Sequence, residues 1–329
     1  MSKGKAGQRK VHRWDPERKP TLGGISLYII FLFSLILSYG PFFGTSEAEH
    51  TPMFGLLGAA TLAFLMGLSD DVHETRPFLK LGVQAICGLI LVFSGVILDL
   101  PGPEQLGSVV TVLLVILLMN SFNMIDNMDG IAGAIAVCVI GVALLRIGVT
   151  DGASTSLWPL LLGMEAAVLG FLFFNIHPSS MFLGDCGTQF LGLLLAYIGI
   201  RIFWTSPEAE AVTSGYGFLT HSLTLMLLFW SSLLDTITVF ILRILKGYSP
   251  LQGGKDHTTH ALSYFGMSER NVNLLFFLWS AVNASLAYYV IRTPALSTLE
   301  LMALLAYILI TFALVFINTY KRGVKQWSA

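Results

Sequence analysis

The chain has 329 residues, 54% of them hydrophobic and 12% charged, and its mean hydropathy is +0.73. Soluble domains carry about 25% charged residues. Together with apolar runs near span length along the whole chain, this excludes a soluble globular enzyme, a disordered chain and a disulfide scaffold. A formal net charge of −1 says nothing about partners until its distribution is read.

Residues 1–24 are a polar, basic tail. The first apolar run, 25–43, is longer than a typical signal h-region, lacks a clear small-residue cleavage site and is followed by more runs, so it reads as a retained helix. Further runs fall at 52–68, 80–98, 106–124, 130–149, 158–175, 188–204, 217–245, 271–291 and 297–318. Lipid offers backbone groups no water, which makes these runs helices; the period-two alternation of a membrane barrel is absent. The expected fold class is an all-α integral membrane bundle of about ten transmembrane helices. In that division, 25–320 is one catalytic domain, 247–270 is a cytosolic loop contributing to the site, and 321–329 is a second basic tail. Cys87, Cys138 and Cys186 lie far apart and give neither a disulfide framework nor a cysteine-rich metal site.

Ten spans put both termini on one side. Lys3, Lys5, Arg9, Lys10, Arg13, Arg18 and Lys19 precede the first span, and Lys321, Arg322 and Lys325 follow the last. Arg76, Lys80, Lys246, Lys255 and Arg270 lie in or beside loops of the same parity, while Glu47, Glu49, Asp99, Glu104, Asp151, Glu208, Glu210 and Glu300 lie in the opposite loops. By the positive-inside rule both termini are cytosolic.

The cytosolic loops then carry the unusual polar residues. After span 2 comes Asp70-Asp71-Val72-His73, and after span 4 comes Asn123-x-x-Asp126-x-x-Asp129-Gly130. After span 6 comes Asn175-x-His177-Pro178 with Phe182-x-Gly184-Asp185, and after span 8 comes Lys255-Asp256-His257-x-x-His260. Each has an ordinary explanation: a solvated helix end for the Asp pair, a helix cap for Asp129, a lipid-facing Phe182, a polar loop for the histidines. Four loops of one parity make a shared cytosolic-face active site the better reading. Hard carboxylate oxygens suit Mg²⁺, which is held by one or two carboxylates plus substrate phosphates. Lys80, Lys255, His257 and His260 would contact phosphate oxygens. Zinc fits poorly, because His257 and His260 have no further Cys or His beside them.

Elsewhere Arg146, Arg201 and Arg292 are expected to snorkel to the outer interface. Glu165, inside span 6, is expected to be a hydrogen-bonded structural residue. His177 reads as a surface or satisfied histidine. Asp235 and Arg243, on span 8, read as a candidate polar seam toward the site.

These loops resemble the polyprenyl-phosphate N-acetylhexosamine-1-phosphate transferase family (glycosyltransferase family 4), over roughly residues 19–270. The likeness runs from Lys19-Pro20-Thr21-Leu22-Gly23-Gly24 through the four loop motifs to Lys255-x-His257-x-x-His260. Asn127 stands where the family commonly has Gly, Thr259 stands where many members have a second adjacent His, and a basic tail occupies the place of a span that usually precedes the Pro-Thr-Gly-Gly element. The last loop is closer to the UDP-N-acetylglucosamine group than to the muramyl-pentapeptide enzymes.

The resemblance implies a polytopic enzyme of a bacterial inner membrane that moves a sugar-1-phosphate from a UDP-amino sugar to polyprenyl phosphate and releases UMP. It implies Mg²⁺, with Mn²⁺ as the alternative ion, held by Asp185 and Asp70. Asp70, Asp71, Asp185 and His257 form the catalytic set. Asn123, Asp126 and Asp129 line the nucleotide pocket, Asn175 belongs to the substrate contacts, and Phe182 stacks on uracil. Lys80 and Lys255 meet the diphosphate, and His257 and His260 face the sugar-phosphate end. The expected partners are the UDP-amino sugar, the polyprenyl phosphate lipid and the membrane, with a homodimer as candidate assembly and no nucleic acid. The competing readings are a muramyl-pentapeptide-type donor, a CDP-alcohol phosphotransferase, against which the missing Ala-Arg after Asp129-Gly130 argues, and a transporter using Glu165, Asp235 and Arg243.

Overall fold

The structure, a computed structural model, describes residues 20–38, 47–73, 75–150, 155–204, 215–249, 254 and 256–327. Among these residues every regular element is helical: α1 (Gly23–Ser38), α2 (Glu47–His73), α3 (Pro77–Phe93), α4 (Glu104–Ile125), α5 (Ile131–Thr150) and α6 (Leu157–Asn175). Then come α7 (Gly184–Ile198), continued by wider π-helical turns over Gly199–Trp204, α8 (Gly215–Leu228), α9 (Trp230–Leu245), α10 (Thr258–Tyr264), α11 (Glu269–Arg292) and α12 (Thr298–Trp327). Seven helices are long and apolar enough to cross a bilayer, α1 and α3 are shorter apolar helices, and α8 and α9 reach the length as a bent pair. These correspond to the apolar runs of the sequence, and the chain is a multi-pass membrane protein.

Four expectations change. The run 217–245, read as one span, bends by 79° between α8 and α9. The break falls at Phe229, whose carbonyl accepts from the Leu233 amide at 2.9 Å, the Ser232 amide at 3.2 Å and the Ser232 hydroxyl at 3.1 Å, so backbone and side chain together satisfy it at the break. The segment 247–270, read as a loop, contains α10, which packs on α9, α11 and α12. Arg146, expected to snorkel, is buried: its Nε donates to the Ile202 carbonyl at 2.9 Å and its guanidinium lies over Phe203. Ile202 lies in the last four residues of the π-helical turns after α7, whose carbonyls have no partner within the helix. Glu165 also differs, because its Oε2 is buried with no hydrogen-bond partner among the described residues.

Helix α7 is the axis of the bundle. It packs against α1, α2, α4 and α5, and its residues from Cys186 to Ile198 are all buried. In lipid, helices are held by close packing and polar contacts rather than by exclusion of water, so small residues mark the crossings. A Cβ on Gly24 of α1 would collide with Gly187 and with Cys186 Sγ at 2.6 Å, and one on Gly67 of α2 would collide with the Asp185–Cys186 backbone. A Cβ on Gly192 would meet Met119 Cα of α4 at 2.7 Å. On the other side of the molecule Ser231, Ser280, Asn283 and Tyr307 link α9, α11 and α12 through buried hydrogen bonds of 2.6–3.0 Å.

Alternating helix direction gathers one set of ends: the C-termini of α2, α4, α6 and α9 and the N-termini of α3, α5, α7, α10 and α11. Gly24→Ala should therefore force α1 and α7 apart. We expect a loss of about 1–3 kcal/mol, the usual cost of overpacking, read as a lower thermal unfolding temperature of the purified chain. Unchanged stability would show that the crossing is not close-packed.

Candidate active site

Asp70 and Asp71 occupy the last turn of α2, where the negative end of the helix disfavours an acid. Each is compensated from outside the helix. Asp70 is 5% exposed; its Oδ1 accepts from the Thr75 amide at 2.7 Å and the Thr75 hydroxyl at 2.6 Å, which folds the α2–α3 turn. Its Oδ2 pairs with the Lys80 ammonium from the first turns of α3. Asp71 faces the positive end of α7: its two oxygens accept from the amides of Asp185, at 2.9 Å, and Cys186, at 3.1 Å. Gly184 reaches this turn with φ +73°, and a Cβ there would meet the Asp71 carboxylate at 2.9 Å. Asp71 was expected among the catalytic residues. Its carboxylate is instead engaged in holding the start of α7, which makes it the residue that positions Asp185.

Asp185 lies in the first turn of α7 with its oxygens toward α3 and α4. Its Oδ1 accepts from Asn123 Nδ2 at 2.8 Å, and its Oδ2 lies 4.0 Å from Lys80 Nζ. Asn123 also donates to Thr188 Oγ1 at 2.9 Å. Beneath this layer Asn120 donates to Gln84 at 2.7 Å, and Gln84 donates to Gln189 at 2.9 Å. Sequence reasoning missed Gln84, Thr188 and Gln189. They stand one helical turn beyond Lys80 and Asp185, a spacing that puts them on the same faces.

The α4–α5 turn is tied to the α6–α7 loop. Asn175, expected to touch substrate, is 2% exposed and uses both ends of its amide internally: Oδ1 accepts from Gly130 N at 2.9 Å and Nδ2 donates to the Met181 carbonyl at 2.8 Å. Asp129 accepts from Ser179 N at 3.1 Å and from Ser179 Oγ at 2.9 Å, and its Oδ2 faces His177 Nδ1 at 3.1 Å. Asn273 of α11 donates to the Asp129 carbonyl at 2.8 Å. Glu269 lies 3.0 Å from the same imidazole, so Asp129, His177 and Glu269 form a triad with cation-binding spacing. Asp129 already accepts three hydrogen bonds, and the triad works as a fastener between α5, the α6–α7 loop and α11. Asp126 ends α4, half-buried. Phe182 is half-buried; its amide donates to Pro20 O and its carbonyl accepts from Gly23 N, both at 3.1 Å.

The last loop docks on α9. His257 Nδ1 lies 2.9 Å from Asp235 Oδ2, and Arg243 grips Asp256 through Nε at 2.8 Å and Nη2 at 2.7 Å. Burial pushes the Asp256 carboxyl upward, but the paired guanidinium outweighs it and holds that carboxyl below the ordinary range. The seam read from Asp235 and Arg243 is thus a pair of anchors for the loop. The Thr259 hydroxyl donates to Asn127 Oδ1, so two residues that depart from the family pattern bond each other and join the last loop to the α4–α5 turn. His260 is half-buried, with its ring centroid 6.1 Å from that of His257. Lys255 lies outside the described residues.

The site therefore brings together Asp70, Lys80, Asn123 and Asp185 in direct contact, with Asp126, Asp129, Phe182 and His257 on the segments fastened around them. Hard oxygen donors dominate this set, and one ammonium lies between two carboxylates.

Comparison with known proteins places this architecture. Residues 53–203 match the glycosyl transferase family 4 profile, a stretch that runs from α2 through α7 and contains the Asp70–Asp185 cluster but not His257. The chain is 29% identical to the decaprenyl-phosphate N-acetylglucosaminephosphotransferase of Mycolicibacterium smegmatis, over 84% of this chain and 72% of that one. It is 26% identical to a Bacillus subtilis protein named "Probable undecaprenyl-phosphate N-acetylglucosaminyl 1-phosphate transferase", over 97% and 88%. It is 28% identical to the undecaprenyl-phosphate alpha-N-acetylglucosaminyl 1-phosphate transferase of Escherichia coli O157:H7, over 81% and 71%.

Two predictions follow from the hydrogen bonding. Asp71→Ala removes both acceptors at the start of α7 and should cost about 0.5–2 kcal/mol, the range for losing a helix N-terminal acceptor, as measured by thermal denaturation. Asn127→Gly and Thr259→Val should each lower the thermal unfolding temperature, and the double variant should be no worse than the weaker single one. Independent effects would show that the two residues do not act as a pair.

Proposed function

We propose that the chain, whose residues 53–203 match the glycosyl transferase family 4 profile, transfers N-acetylglucosamine-1-phosphate from UDP-N-acetylglucosamine to polyprenyl phosphate, releasing UMP and starting a lipid-linked cell-envelope glycan. The observation that carries this reading is the contact cluster of Asp70, Lys80, Asn123 and Asp185 at one end of a membrane bundle. That end is where a phosphate headgroup anchored in lipid meets a water-soluble nucleotide. The names of the relatives supply the sugar and the lipid class. The basic tails at 1–24 and 321–329 support a cytosolic site in a bacterial inner membrane.

An oxygen of the polyprenyl phosphate attacks the β-phosphorus of the UDP-sugar. The bond from that phosphorus to the bridging oxygen breaks, and the electron pair leaves with UMP. A phosphate monoester is already ionised near neutral pH, so no base is required. Asp70 and Asp185 fit Mg²⁺ as hard carboxylate donors placed on either side of a cation, Lys80. When bound there, the ion would neutralise charge on the diphosphate. Lys80 would exchange its carboxylate partners for phosphate oxygens as substrate enters. Asn123 orients Asp185, Asp71 fixes the backbone beneath it, and Asp126 and Phe182 border the space for the nucleotide. The amide layer of Asn120, Gln84 and Gln189 supports the cluster from below.

Purified chain supplied with Mg²⁺, a polyprenyl phosphate and UDP-N-acetylglucosamine should release UMP. EDTA should stop the release, and Asp185→Ala should lower kcat by about 100-fold or more, the scale of losing one electrostatic contact in a transition state. Failure of every UDP-sugar in a donor screen to yield UMP would falsify the transferase reading. Release from a different UDP-sugar would keep the reaction and change the donor.

A further inference from the structure

Asp235 lies within α9 and is fully buried. Its Oδ1 accepts from Thr258 N at 2.8 Å and Thr258 Oγ1 at 2.7 Å, and its Oδ2 faces His257 Nδ1 at 2.9 Å. An ionised carboxylate can only accept, so Nδ1 of His257 carries the proton and the ring has one remaining functional atom, Nε2. A buried carboxylate is tolerated when it is paired and hydrogen-bonded. His257 is the group that faces Oδ2, and this bond holds the imidazole in one orientation.

Anchoring the loop to α9 does not by itself call for an imidazole, since Thr258 alone gives Asp235 two donors. His257 occupies the N-cap position of α10, where Ser, Thr, Asp or Asn would bond the first amides, and its side chain makes no such bond. The loop is already fastened on both sides, by Arg243 to Asp256 and by Thr259 to Asn127. The second fastening ties it to the turn that follows Asn123 and Asp126.

We propose that Asp235 is a positioning residue for the transfer reaction, fixing His257 so that its Nε2–H donates to a non-bridging phosphate oxygen of the sugar nucleotide. The proposal rests on the sugar-1-phosphate transferase reading. The hydrogen bond stabilises charge on the diphosphate as the β-phosphorus is attacked, and no proton changes hands. The carboxylate acts only through the imidazole, in the way that a buried acid orients a histidine elsewhere. The family profile ends before this pair, at residue 203, so the pair comes from the other half of the chain, on a loop joined to the α4–α5 turn through Thr259 and Asn127.

The test is a double-mutant cycle on the full-length chain in proteoliposomes, with Mg²⁺, UDP-N-acetylglucosamine and undecaprenyl phosphate, following UMP. Asp235→Asn should lower kcat/KM for the UDP-sugar about 10- to 100-fold, the usual cost of removing a histidine's orienting partner, while the KM for the lipid stays within about twofold. His257→Ala should lose at least as much, and Asp235→Asn placed on His257→Ala should lose nothing further. Losses that multiply, or full activity in Asp235→Asn, would overturn the proposal. Should Asp235→Asn not fold, Thr258→Val removes one donor from the same carboxylate and takes its place in the cycle. It must lower activity in the His257 background and not in the His257→Ala background, or the proposal fails. An unmodified chain that yields no UMP from any UDP-sugar overturns the transferase reading and this inference with it; an active unmodified chain with multiplying losses overturns this inference alone.

Discussion

The rest of the structure depends on the approach of α7 to α1 and α2. Backbones come close there because Gly24, Gly67 and Gly187 carry no side chain, and the first amides of α7 find their acceptors on Asp71. A helix start buried among other helices has orphan donors that no lipid and little water can satisfy. Asp71 supplies them with a full negative charge, which the positive end of α7 favours. This contact sets the start of α7, and Asp185 in its first turn then lies 4.0 Å from Lys80 and within hydrogen-bond distance of Asn123. The metal-binding chemistry proposed for the chain is therefore a consequence of a packing solution.

Charge balance explains why the acids tolerate one another. Asp70 and Asp71 stand at a helix end that opposes them, and Asp185 stands nearby. A cluster of this kind would lose stability without cations. Lys80 answers Asp70 and Asp185, and the α7 amides answer Asp71. The arrangement is poorly chosen for stability alone, since apolar residues would pack a helix junction at less cost. It suits the proposed reaction, in which the ammonium would give up its carboxylate partners to incoming ligands.

A continuous set of polar links runs around the site perimeter. Arg243 and Asp235 hold the last loop, Thr259 joins it to Asn127, Asn175 and Asp129 join the next turn to the α6–α7 loop, and Phe182 and Gly23 join that loop to α1. Several side chains singled out for substrate contact thus hold backbone instead. Such groups keep the reacting residues within the small tolerance that phosphoryl transfer needs. The bond between Asn127 and Thr259 also shows how two departures from a family pattern compensate: a side chain gained on one loop meets a hydroxyl gained on another.

The sequence by itself determined the class of the protein and which polar residues gather at one end of the bundle. Uninterrupted apolar runs force helices because lipid denies the backbone any other partner, and loop parity then sorts Asp70, Asn123, Asp185 and His257 onto one side. The motif spacing identified Asp185 and Lys80 as members of one set. What only the tertiary structure decided was the division of labour. Asp70 and Asp71 are adjacent and chemically identical in sequence, yet one meets Lys80 and the other meets the amides of a helix that begins 113 residues after it at Gly184. The bend at Phe229, the inward turn of Arg146 and the pairing of Asp235 with His257 were hidden for the same reason. Each depends on a partner distant in the chain, and periodicity reports only which face a residue occupies, not what the neighbouring helix presents to it.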